Sequence, residues 1–242
     1  AADSAHAMQN AHGFGVHPQH VNIDGAEVMA RVRSERDRFV GFVQESVDSF
    51  ADEDKLRGHA RFTGRNTLQV GEDTVVHATA IVIATGSRPI IPAPLREVGD
   101  RVIVNDDVFD WTDLPRSVAV IGTGVIGLEI GQSLHRLGVR TTIFGRSAGI
   151  AHMSDPEVQQ SAVSIFGAEL DLRLETEVVR AKQDSGQVQL TVRDAHGKEH
   201  TDSYDYVLAA SGRMPNVDGL GLEHTGLALD AHGVPIFHSR TM

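Results

Sequence analysis

Val118-Ala-Val-Ile-Gly-Thr-Gly-Val-Ile-Gly127 is the stretch whose reading decides the fold. Its apolar opening, residues 117–121, reads as a strand buried on both faces of a parallel sheet. Gly122, Gly124 and Gly127 then spell G-x-G-x-x-G, and residues 125–137 carry an apolar helical face that stops at Gly138. Strand, glycine turn and helix in that order make a dinucleotide-binding unit. Gly122 permits the tight turn. Gly124 lets the backbone approach a diphosphate, and Gly127 lets the helix pack close to the strand. With Thr123, Val125 and Ile126 between these glycines, the start of the helix offers free N–H groups and a positive dipole end to phosphates.

Working outward, residues 140–144 predict a second strand, 155–166 a second helix capped by Asp155 or Ser154, and 169–174 a third strand. Residues 178–182, 187–192 and 200–204 read as an antiparallel meander. Residues 206–210 are another buried strand, ending in Ser211-Gly-Arg-Met-Pro-Asn216.

Upstream, residues 1–12 read as the tail of a helix stopped by Gly13. Residues 24–50 predict a longer helix capped by Asp24. Short strands follow at 58–62, 66–70 and 74–78. Ile81-Val-Ile-Ala84 predicts a strand buried on both faces, closed by Thr85-Gly-Ser-Arg-Pro89. That closure is similar to the one after residue 206, a weak internal repeat. The second copy follows a full strand-helix-strand-helix-strand block, and the first follows only helix. The expected class is α/β: a Rossmann-like dinucleotide-binding domain, with a parallel sheet plus an antiparallel meander, and part of a second, similar dinucleotide-binding domain. The expected boundaries are 1–88, 89–214, and a return segment at 215–242.

The form of the dinucleotide stays open. NAD sites usually place an acid at the end of the second strand, about 20 residues on, to accept from the ribose 2′-OH. Here that end reads Ile143-Phe-Gly-Arg-Ser147. Gly145 has no side chain to accept with, and Arg146 suits a 2′-phosphate.

The remaining composition narrows the class. The 242 residues carry a formal charge of -11, which argues against nonspecific nucleic-acid binding. There is no cysteine, so no thiol chemistry or disulfide is possible within these residues, and a cytoplasmic setting fits. No apolar run approaches the ~20 residues of a membrane span. Of 13 histidines, His6, His12, His17 and His20 cluster early, without metal-ligand spacing. No metal site is expected. Neither a nucleophile elbow nor a P-loop is present.

Taken in order, Thr85-Gly-Ser-Arg-Pro, Gly122-Thr-Gly-Val-Ile-Gly-Leu-Glu129 and Gly212-Arg-Met-Pro-Asn216 resemble the motifs of the pyridine nucleotide–disulfide oxidoreductases. Residues 28–39 and 219–226 look most like a bacterial branch of dihydrolipoamide dehydrogenases. The resemblance covers nearly the whole chain. It implies a flavoenzyme that passes electrons between a nicotinamide, FAD and a redox-active cysteine pair. It implies that Ala84, Thr85, Gly86 and Ser87 lie against FAD, and that residues 122–129 hold NAD or NADP. Gly212 would line the nicotinamide end. Glu129 matches a glutamate at the nicotinamide–flavin junction that pairs with a lysine in the family. The glycines at 127 and 131 suit NAD-using members, while Arg146 suits NADP-using ones, so the resemblance leaves that choice open as well.

The family's opening FAD motif, its cysteine pair and its lysine do not occur here. Nor do its second FAD motif and its C-terminal dimerisation domain with catalytic His and Glu. The resemblance therefore implies an internal fragment of a homodimeric parent. As it stands, the chain is expected not to turn over a disulfide. The expected partner of the parent is a small dithiol/disulfide or a lipoyl group, with neither nucleic acid nor membrane. The two function classes to separate are a dihydrolipoamide dehydrogenase or glutathione- or mycothione-reductase relative, and a nucleotide-binding module without redox chemistry.

Overall fold

The structure, a computed structural model, describes residues 1–238 and 240; the end of the expected return segment (239, 241 and 242) lies outside the described residues. The chain divides into two compact units. One comprises Ala1–Arg38 with Pro89–Gly212, the other Phe39–Arg88 with the residues from Arg213 on.

Helix α1 spans Ala2–Gln9 and α2 spans Gly25–Asp48. Strands β1 (Ala60–Gly64), β2 (Thr67–Val70) and β3 (Thr74–His77) form an antiparallel sheet, and β4 (Ser87–Pro89) follows. Then come β5 (Val102–Ile103), β6 (Ser117–Ile121), α3 (Val125–Arg136), β7 (Arg140–Phe144), α4 (Pro156–Glu169) and β8 (Asp171–Arg173). The meander is β9 (Glu177–Asp184), β10 (Gln187–Arg193) and β11 (Glu199–Tyr204). β12 (Tyr206–Ala209) and β13 (Arg213–Pro215) complete the order.

In the first unit, five parallel strands lie in the order β5-β12-β6-β7-β8. All of β6 is buried, and its side chains alternate between two cores. Val118 and Val120 join Leu128 and Leu134 of α3 and Ile143 of β7. Ala119 and Ile121 join Val188, Leu190, Val192 and Tyr204 of the meander. Helices thus cover one face and the meander the other, which is why β6 reads as unbroken apolar sequence. Each fully buried valine or isoleucine there contributes about 1.5–3 kcal/mol. The fold is the expected α/β class with a parallel sheet and an antiparallel meander.

Local signals explain most boundaries. Asp24 accepts from the Glu27 amide, as a helix cap should. Asp155 caps α4 by accepting from Glu157 and Val158, with Pro156 as the first helical residue. At the start of the chain, α1 ends at Gln9, and a 3-10 turn carries on to a left-handed Gly15 rather than stopping at Gly13.

One expectation is corrected. Residues 81–84 are not a strand in the structure. A parallel strand exists by pairing, and among the described residues nothing pairs with this run. Ile81 and Ile83 still pack on the core of Phe62, Leu220 and Leu222, while Val82 is 86% exposed. Two short elements carried no recognisable pattern in sequence. They are β5, and the pairing of β4 with β13.

Three helices of the first unit meet in a charged junction. Arg136 in the last turn of α3 donates to Glu169 at the end of α4 through Nε (2.6 Å) and a second nitrogen (3.1 Å). The same guanidinium reaches Asp3 of α1 at 2.6 Å, and Gln132 donates to Glu169 at 2.8 Å. His6 lies 3.6 Å from Glu169. The Arg136 hydrogen bond holds the Glu169 carboxyl below its ordinary range, against the opposing effect of burial. A depressed carboxylate stabilises the fold above its unfolded pKa of about 4.3 and loses that contribution as pH falls through its folded value. Melting temperature should therefore climb with pH up to the mid-4 range and flatten above it. Glu169→Gln should remove part of that slope; an unaltered pH profile in the variant would show that the junction does not govern it.

Candidate functional site

The three glycines of the turn after β6 do different work. Gly122 has φ +127, a conformation that L side chains rarely adopt. Its amide donates to Phe144 O (2.8 Å), and Ala210 N donates to Ile121 O (2.9 Å), so the turn is gripped from both neighbouring strands. A Cβ there would overlap the Ala210 carbonyl oxygen, with its carbon at 2.6 Å. A Cβ on Gly127 would overlap the Gly122 carbonyl oxygen, with Ala210 Cβ at 3.4 Å. Packing alone therefore accounts for Gly122 and Gly127.

Packing does not account for Gly124. Its backbone is ordinary, at φ -71 and ψ 177. A Cβ on it would meet, among the described residues, only Cε1 of His152, at 3.7 Å. Gly124 is also the N-cap of α3 and supplies no side-chain cap. The first amides of an α-helix have no partner within it, and here no side chain stands in. The turn thus presents open backbone and orphan N–H groups at the C-terminal end of a central parallel strand, where α/β sheets bind ligands. Thr123 is buried, while Val125 is 63% exposed.

Across from this turn lies the end of β7. Gly145 is buried, and a Cβ on it would lie 2.6 Å from Thr123 Cγ2 and 2.9 Å from Thr123 Oγ1. The Thr123 side chain thus fills the place where an acid at 145 would begin. Arg146 is exposed and makes no hydrogen bond or ion pair among the described residues. Thr123 also fastens the following loop. Its hydroxyl donates to Gly149 O (3.2 Å), and its carbonyl accepts from Ala151 N (2.8 Å). Ala151 and His152 are both left-handed, at φ 53 and 54.

The other expected site residues are placed as follows. Gly212 is exposed with φ +145, two residues beyond Ala210. Glu129 is an exposed residue of α3 with no ion pair among the described residues. In the second unit, Ala84, Thr85 and Gly86 are exposed and Ser87 is half-buried. Asn216 brackets that turn, donating from its amide to Gly86 O (3.0 Å) and from Nδ2 to Thr85 O (3.1 Å). Arg213 Nε donates to Ser87 Oγ (2.8 Å), while Arg88 reaches Asn216 Oδ1 (3.1 Å) and Asp218. The two copies of the weak repeat are thus cross-braced by each other's arginines. Among the described residues no three His, Asp or Glu gather as a metal site would need, and no helix is long and apolar enough to cross a membrane.

The family model described as pyridine nucleotide-disulphide oxidoreductase matches residues 8–238. The chain belongs to that family. Members of the pyridine nucleotide-disulphide oxidoreductases are flavoproteins that use FAD and a nicotinamide dinucleotide. Among relatives, a dihydrolipoyl dehydrogenase of Pseudomonas aeruginosa is 35% identical over 85% of this chain and 46% of its own length. A glutathione reductase of Burkholderia cepacia is 32% identical over 96% of this chain and 50% of its own length. The chain thus spans about half the length of these relatives. A flavoprotein disulfide reductase of Escherichia coli, RclA, solved as a Cu(II) complex, shares the fold. The TM-score is 0.70 at 23% identity, over 86% of this chain and 48% of that one. Family membership does not single out one activity, because the relatives include both dehydrogenases and reductases.

Two contacts of the site are not legible in sequence, although His152 itself reads there as a loop histidine flanking the nucleotide unit, which could reach a 2′-phosphate. Thr123 is legible as part of the glycine turn, but not as the group that fills the space beside Gly145. His152 stands 28 positions from Gly124 in a loop without periodicity, and no spacing signals their approach.

Proposed function

We propose that this chain is the nicotinamide-nucleotide-binding part, with a portion of the FAD-binding part, of an enzyme that moves an electron pair between NAD(P)(H) and a dithiol/disulfide. Residues 122–127 hold the dinucleotide, with Gly212 and Glu129 toward its nicotinamide end. Residues 84–87 face FAD. By function we assign residues 1–88 and 215–242 to the FAD side and 89–214 to the nicotinamide side, although residues 1–38 pack with the nicotinamide unit. The reading is carried by one observation: Gly124 lacks a Cβ that neither its backbone angles nor protein packing forbids, so the open space serves a ligand. Bound there, the nicotinamide supplies the hydride chemistry. The protein's own share is to seat the diphosphate on orphan amides and to orient the ring.

The finer reading, supported by the Pseudomonas relative and by Gly127 and Gly131, is a dihydrolipoamide dehydrogenase acting on a lipoyl group. An NADPH-consuming disulfide reductase is the second reading. It is favoured by the Gly145–Thr123 contact, which leaves no room for a ribose-binding acid, and by the unpaired Arg146. In either case we infer a cytoplasmic homodimeric parent with a small dithiol, disulfide or lipoyl partner, and neither nucleic acid nor membrane.

Titration of the chain with NADH and NADPH, followed by nucleotide fluorescence, tests the site and the ribose preference together. Saturable binding of at least one is expected, and binding of neither would refute the reading. Arg146→Glu should move the NADPH:NADH affinity ratio toward NADH by about tenfold, the worth of one charge-assisted phosphate contact. A ratio that stays put would mean Arg146 does not read the ribose.

A further inference from the structure

We infer that His152 is a side-chain ligand of the dinucleotide's diphosphate, added to a cradle otherwise made of backbone. The inference rests on the proposed nucleotide site. In that arrangement, Gly124 is where the chain comes closest to the diphosphate. The Cε1 atom of His152 stands 3.7 Å from where a Gly124 Cβ would be, and among the described residues no other group outside the adjoining ones comes within 4 Å. Whatever lies against Gly124 therefore lies against this imidazole.

The backbone leading to the imidazole is held there, while the residue itself is exposed. Ala151 N donates to Thr123 O at 2.8 Å, one residue before Gly124. Ile150, one residue further back, is 1% exposed and belongs to the helix-side core. Thr123 Oγ1 donates to Gly149 O at 3.2 Å. Three consecutive residues, 149–151, are thus tied to the turn or the core, and His152 is the next one along. Its φ of 54 and that of Ala151, 53, lie in the left-handed region, which side chains other than glycine adopt only at a cost. Among the described residues the ring of His152 has no hydrogen-bond or ion-pair partner, so no protein contact repays that cost. A ring N–H beside a diphosphate repays it by a charge-assisted hydrogen bond. Arg146 stands apart from this role, because it follows the strand end where the ribose is read. The two side chains divide the work: Arg146 distinguishes a phosphorylated ribose, and His152 serves the diphosphate that NADH and NADPH share.

The test is a titration of the intact chain and of His152→Ala with NADH and with NADPH. Both affinities should fall by a common factor of about five to ten, with melting temperature unchanged. His152→Arg should recover most of the loss. Should the alanine variant fold poorly, His152→Asn keeps a residue that tolerates the left-handed backbone and removes the imidazole. An unchanged affinity overturns the inference. So does a loss confined to NADPH, which would put the ring on the 2′-phosphate, and so does tighter binding, which would make it a plug. A wild-type chain that binds neither nucleotide overturns the nucleotide site itself, and this inference with it.

Discussion

Gly124→Ala should fold and melt like the parent chain, yet bind NADH and NADPH at least about tenfold more weakly. The two halves of that result come from separate physics. The backbone at 124 is one that alanine adopts without strain, and among the described residues the new methyl would meet only the edge of His152. Alanine is a poorer helix cap than glycine, which costs a few tenths to about 1 kcal/mol. It also stiffens the unfolded chain, which returns about 0.4–1 kcal/mol. The net change in stability is near zero. For a diphosphate the same methyl sits on the surface it must approach, and a displacement of ~1 Å removes well-aligned amide contacts. Calorimetry and a fluorescence titration on one preparation settle both halves. Undiminished affinity in the alanine variant would show that no ligand uses this surface.

Gly122→Ala should do the reverse and damage the fold. Its φ of +127 is closed to alanine, and the new Cβ would overlap the Ala210 carbonyl oxygen. Backbone strain costs about 1–3 kcal/mol and overpacking about 1–3 more. Escape by a shift of the turn would break the bonds from Gly122 N to Phe144 O and from Ala210 N to Ile121 O. These hold the central strand to both neighbours. A loss near 4 kcal/mol is a large share of a typical domain's 5–15, and should lower the melting temperature by roughly 10 °C. A variant that melts within 2–3 °C of the parent (roughly the effect of 1 kcal/mol) would mean the turn is far softer than these distances imply. On the proposed reading one glycine motif contains a ligand position and a folding position two residues apart, and the pair of variants separates them.

How much of this was legible in sequence follows from where the information lies. Strand β6, α3 and β7 were readable almost to the residue, because burial on both faces forces an unbroken apolar run and glycine marks each end. The meander was readable because its alternation reflects one buried face. Residues 81–84 have the composition of a buried strand, but a strand needs a neighbour and composition cannot supply one. Of the candidate site, the glycine turn is a local pattern that the sequence displays directly. The approach of His152 to Gly124, and of Thr123 to the space beside Gly145, are meetings of distant segments set by the sheet.

The double duty of Thr123 bears on how the proposed nicotinamide preference could change over time. An acid at 145 is the usual way to hold an unphosphorylated ribose, and here it cannot arise in one step. It would displace the threonine that anchors Gly149 and Ala151, and with them the loop that carries His152. Position 123 would have to shrink first, at the expense of that anchor. Substitutions at 123 and 145 should therefore be non-additive, so that an acid at 145 needs a compensating change at 123.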